Sequence, residues 1–137
     1  MAKEFLESMI DRLREHGLRL TPQRLALLRV IENLGEHHPS FSEICDAVWK
    51  DHPHVSQSTI LKNLGKFEEL EIVRGFSFRG ETHYEVNPAL HVNFVDTNGR
   101  IVDIEDEEVK QILEELIEKI QKKTGVNAKD LLVMVEK

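Results

Sequence analysis

Up to Leu70 the apolar residues recur every three or four positions; from Ile72 they alternate. A change of period from about 3.6 to 2 marks a passage from amphipathic helices to strands that each bury one face. The helical part reads as four segments. Residues 3–16 carry Phe5, Leu6, Met9, Ile10 and Leu13 on one face, and Gly17 is placed as a C-terminal cap. The second helix opens at Thr21-Pro22, a capping hydroxyl followed by a proline whose missing N–H is harmless in the first turn. Leu25, Leu28, Ile31 and Leu34 form its stripe, and Gly35 is expected to end it. Ser40-Phe41-Ser42-Glu43 has the spacing of a capping box, with Ile44, Ala47 and Val48 inward behind it and Asp51-His52-Pro53 as the break. The fourth helix begins at Ser56 and turns Ile60, Leu64 and Phe67 inward. Beyond it, Ile72–Phe78 and Thr82–Val86 flank Arg79-Gly80-Glu81 as a hairpin. Helices leading through a tight turn into a hairpin give the layout of a winged helix-turn-helix over residues 1–86.

The remainder is a second, smaller unit. Asn87 to Leu90 reads as a linker, and residues 91–137 as a ββαβ unit. Val92–Val95 and Arg100–Ile104 flank Thr97-Asn98-Gly99, and Asn-Gly is a strong hairpin signal. Residues 106–123 follow as an amphipathic helix with Val109, Ile112, Leu113, Leu116, Ile117 and Ile120 on one side, and Leu131–Val135 as a last strand. The fold class is therefore α+β. So small a ββαβ unit buries too little apolar area by itself, which implies a second copy and a homodimer.

Several function classes drop out. A single cysteine, Cys45, excludes an intrachain disulfide and a Cys-x-x-Cys site, and its helical setting reads as a small buried residue. No apolar run approaches a membrane span and no leader is evident, so a cytoplasmic protein with no membrane role is expected. No His-Glu-x-x-His, Gly-x-Ser-x-Gly or phosphate loop is present, and no enzymatic activity is expected. The net charge of −7 is unfavourable for nucleic acid as a whole. Between residues 12 and 29, however, Arg12, Arg14, Arg19, Arg24 and Arg29 are accompanied only by Glu15. DNA binding needs a basic face rather than a basic protein.

Three stretches resemble the ferric uptake regulator family. They are Gly17-Leu18-Arg19-Leu20-Thr21-Pro22-Gln23-Arg24, then Ser56 through Phe67 with Ile72-Val73, and then His91 through Ile104. The resemblance implies a dimeric DNA-binding regulator, a repressor, whose fourth helix enters the major groove of operator DNA with palindromic half-sites. On that helix Gln57 suits adenine, Ser58 and Thr59 suit phosphate, base edges or a thymine methyl, and Lys62 and Lys66 suit phosphate. Arg19 would reach the minor groove. Arg24 would brace its helix or touch phosphate, and Arg79 at the wing tip would reach the backbone. Leu61 and Glu71 stand where the family usually has tyrosine and glycine.

The resemblance also places regulatory metal ligands at His38, Glu85, His91, Asn93 and Asp103, with His83 on the Glu85 face as a substitute nitrogen for Asn93. Imidazoles with carboxylates and no thiolate suit a divalent Fe, Mn, Zn, Ni or Co ion. Such an ion, bound between the two domains, would fix their angle and so the spacing of two recognition helices. The four-cysteine structural zinc of many relatives is not expected, because Asp96-Thr97-Asn98-Gly99 occupies that place. His16, His37, His52 and His54 read as surface residues. The alternative is a winged-helix regulator or interaction module that has lost metal sensing.

Overall fold

The computed structural model describes residues 2–128 and 130–137, and the chain divides between Asn87 and Pro88 into two compact units. In the first, four helices lead into a two-stranded wing: α1 (Ala2–Glu15), α2 (Pro22–Leu34), α3 (Phe41–Asp51), α4 (Gln57–Glu69), β1 (Arg74–Phe78) and β2 (Glu81–Glu85). Helix starts follow local chemistry. Thr21 Oγ1 accepts from the Arg24 amide, Ser40 and Glu43 form the full capping box, and Ser56 Oγ accepts from the Thr59 amide. Leu13, Leu27, Leu28, Ile31, Ile44, Val48, Ile60, Leu64 and Phe67 pack into one core at almost zero exposure. Arg12 donates to the carbonyls of Leu70 (3.4 Å) and Glu71 (3.0 Å), setting a cation at the negative end of α4.

Local expectations are refined. Gly35 ends α2 as its C-cap, as expected, but in a right-handed conformation (φ −55°) that leads into a 3-10 turn through His37, with His38 left-handed at φ 52°. A side chain at Gly35 would meet Val86 Cγ2 at 2.8 Å, so glycine serves a close approach there. On α2 the fully buried side is Ala26, Leu27, Leu28 and Ile31, and on α3 Cys45 lies in the core as expected while Ala47 is only half-buried. Ile72 and Val73 are core residues but not strand, since the amide of Ile72 donates back to Phe67 O (2.9 Å) and closes α4. Finally, the wing turn has two residues. Phe78 pairs with Glu81, so Arg79 (φ 51°) and Gly80 (φ 79°) alone make the corner. Two consecutive positive φ values are what a two-residue hairpin requires.

In the second unit β3 (Val92–Val95) lies between antiparallel β4 (Ile101–Ile104) and parallel β5 (Met134–Glu136), and α5 (Glu107–Thr124) crosses over. The last strand is shorter and later than its apolar run suggests. The β3–β4 turn is built on Asp96, whose Oδ1 accepts from the amides of Asn98 (2.8 Å) and Arg100 (3.0 Å), with Gly99 at φ 79°. The inward stripe expected on α5 is only partly covered: Leu113 is buried and Val109, Ile117 and Ile120 are half-buried, while Ile112 is 58% and Leu116 41% exposed. No helix among the described residues is long and apolar enough to cross a membrane.

Candidate metal centre and nucleic-acid interface

Each unit carries a buried histidine beside a carboxylate. In the first, the left-handed turn at His38 brings its ring to the end of β2, where His38 Nε2 lies 3.4 Å from Glu85 Oε2. Glu85 is 1% exposed. A carboxylate so far from water must be compensated. Arg74, its register partner on β1, supplies the charge: Nε donates to Glu85 Oε1 at 2.8 Å, and Nη2 donates to the same oxygen. His83 sits one alternation before Glu85. Its Nδ1 donates to His38 O (2.9 Å), and its ring stacks on Phe76, with centroids 6.0 Å apart.

In the second unit, His91 lies just ahead of β3 and is 2% exposed. Its Nδ1 is 2.7 Å from Ala89 O. A carbonyl only accepts, so Nδ1 carries the proton, and a neutral ring then presents a lone pair at Nε2. That Nε2 is 3.5 Å from Asp103 Oδ1. A backbone carbonyl holding the outer nitrogen is the usual support of a metal-binding imidazole. Asn93, fully buried and opposite Asp103 in the register, donates through Nδ2 to Val133 O (3.3 Å), so part of its amide serves the β3–β5 contact. His38, Glu85, His91 and Asp103 all offer nitrogen or oxygen donors of the kind a divalent ion takes.

The fourth helix presents a different surface. Gln57, Ser58 and Lys62 are exposed and Lys66 is half-buried, with no acid in the first turn. Thr59 is turned partly inward, its Oγ1 accepting from Ser56 Oγ at 2.8 Å. Arg24 bridges elements: Nε donates to Asn63 Oδ1 (3.1 Å) and Nη1 to Arg19 O (2.6 Å), fixing the entry of α2 against α4. The side chain of Arg19 stays exposed. At the wing tip the Arg79 guanidinium lies 4.9 Å from the Phe78 ring centre. Sequence reasoning gave no role to two residues of note. Leu61 is 54% exposed on the Gln57 face, an apolar group suited to a thymine methyl. Arg74 was invisible as the partner of Glu85 because a three-residue turn would have set it opposite Val86.

Known proteins share this sequence pattern and fold. Residues 15–135 match the ferric uptake regulator family. The chain belongs to that family. A ferric uptake regulation protein homolog of Archaeoglobus fulgidus is 39% identical over 131 residues, covering 95% of each chain. The peroxide-responsive repressor PerR of Staphylococcus aureus is 34% identical over 110 residues, 78% of this chain and 73% of its own length. A solved zinc-bound manganese uptake regulator superposes with a TM-score of 0.65 at 27% identity, covering 94% of this chain and 98% of its own. Ferric uptake regulator proteins are metal-responsive, dimeric, DNA-binding transcription regulators, and their fold of an N-terminal winged helix and a C-terminal dimerisation unit is the one described above. Cys45 is buried in the core; burial foremost, then the charges of Asp46 and Glu81, push its thiol pKa up.

Proposed function

We propose that this chain is a homodimeric repressor that binds a palindromic operator when one divalent ion takes donors from both of its His–carboxylate pairs. The observation that carries the reading is the pairing itself. His38 with Glu85, and His91 with Asp103, are buried imidazoles each aimed by Nε2 at a carboxylate, one pair in each unit. Isolated surface histidines would have no reason to be sequestered in this way. When bound, the ion supplies positive charge and a fixed coordination sphere, not catalysis. The chain's own residues do the rest. The Ala89 carbonyl holds the His91 ring, Gln57 and Leu61 offer base-edge contacts, and Lys62, Lys66 and Arg19 offer phosphate or minor-groove contacts. Arg24 positions α2 against α4, and Arg79 lies against the DNA backbone at the wing. His83, already bonded through Nδ1 to the backbone carbonyl of His38, braces that turn rather than acting as a first-choice ligand.

The test is metal analysis of the untagged dimer, with DNA binding measured before and after chelation. One regulatory ion per chain, lost in His91→Ala together with operator affinity, is the expected result. If chelation leaves affinity and its salt dependence unchanged, the protein is a metal-independent regulator. The one feature favouring that second reading is Arg74, which already neutralises Glu85.

A further inference from the structure

We propose that Arg74 is a built-in competitor for the metal: its guanidinium occupies the Glu85 carboxylate in the ion-free protein and thereby sets the metal concentration at which the regulator responds. This rests on reading His38 and Glu85 as ligands.

The geometry is specific to one pair of facing residues. The wing register puts Arg74 directly across from Glu85. Two guanidinium nitrogens converge on Oε1, while Oε2 is the oxygen near His38 Nε2. The two carboxylate oxygens thus face different partners, Oε1 the permanent cation and Oε2 the histidine. Arginine does not lose its proton at any physiological pH, so this compensation is always present. A divalent ion arriving at Oε2 meets a carboxylate whose charge is already balanced, and a fixed positive charge beside it. Both lower its affinity. The bond to Oε1 also opposes two-oxygen coordination by Glu85. Glu85 is sealed at 1% side-chain exposure, but the Arg74 side chain is 26% exposed. The guanidinium can thus swing toward water as the ion enters, exchanging one cation for another without uncovering the carboxylate.

Co(II) titrated into the untagged dimer tests this, with the visible absorption of the bound ion and a competing chelator giving the Kd. Arg74→Met keeps the apolar stem and removes the charge. It should bind Co(II) at least tenfold more tightly, about 1.4 kcal/mol. Its melting temperature without metal should fall, and the rise on adding Co(II) should exceed that of the wild type. Arg74→Lys keeps a charge but loses the fork. It should tighten binding by a smaller factor, and it carries the test alone if the methionine variant does not fold. An unchanged Kd in the folded variant overturns the proposal, leaving Arg74 a structural partner. A weaker Kd also overturns it and makes Arg74 a residue that orients Glu85 for the ion. If the wild type itself takes up no Co(II), or takes it up equally in His91→Ala, the metal reading fails and this proposal with it. Uptake by the wild type with no tightening in either variant sinks this proposal alone.

Discussion

The two units solve the problem of a small core in opposite ways. The first closes around Phe67, Leu64, Ile60 and their neighbours within one chain, and its fourth helix shows only Leu61 as a large apolar residue outside. The second buries Val95, Ile101 and Leu113 but leaves Val102, Ile104, Ile112, Leu116, Val126, Leu132 and Val135 substantially exposed. Its innermost places go instead to His91 and Asn93. A domain that spends its interior on polar groups and its surface on apolar ones is half of something, whereas the winged helix is complete. The dimeric habit of the family supplies the missing half. Stability of the first unit should therefore be independent of concentration, and that of the second should not.

The strongest test of that contrast is to charge the outer face of α5. Ile112→Glu with Leu116→Glu should give a monomer by sedimentation and weaken binding to a two-half-site operator by about 10²–10⁴, because the avidity of two joined helices is lost. A fragment ending at Asn87 should still melt cooperatively; if it does not, the first unit is less self-sufficient than its core implies. Within that core, Phe67→Ala should cost about 3–5 kcal/mol in chemical denaturation, with little effect on association of the second unit. On the DNA face, Gln57→Ala should cost about 1–3 kcal/mol of operator affinity, whereas Lys62→Ala should weaken binding to any duplex and lower the salt slope by about one. A sequence-independent loss from Gln57→Ala would remove α4 as the base-reading element.

Two smaller effects refine the account of the first unit. Glu71 is held at φ 58° in the turn after α4, where the family usually has glycine. Glu71→Gly should stabilise the unit by about 0.5–1 kcal/mol, the relief of left-handed strain less the added freedom of the unfolded chain. Glu81 accepts from the Ser42 hydroxyl and, at 3.0 Å, from the Ser42 amide, and these bonds, the hydroxyl's foremost, hold the carboxyl pKa below its ordinary 4.5. Its stabilising contribution is thus fully present above that ordinary value and disappears as pH falls through the lowered one. Glu81→Gln should flatten the acid limb of the stability curve, and an unaltered limb would mean that the wing-to-α3 contact contributes nothing.

Much of the fold was legible because it is written in local chemistry. Thr21-Pro22, the Ser40–Glu43 capping box and Ser56 each satisfy amides within one turn, so helix starts follow from residues a few positions apart. The metal-type residues His38, Glu85, His91, Asn93 and Asp103 were named by another route, the resemblance to the family, since nothing in their local spacing singles them out. What composition and spacing left open was decided by contacts between distant segments. A hairpin turn one residue shorter than read, with Arg79 and Gly80 both left-handed, moved every wing partner by one and brought Arg74 onto Glu85. The α5 stripe likewise shows a helical period but not which side of it finds a partner within the chain. Periodicity reports that a face is apolar; only the packed structure determines what, if anything, covers it, because burial is a property of two surfaces and a sequence describes one at a time.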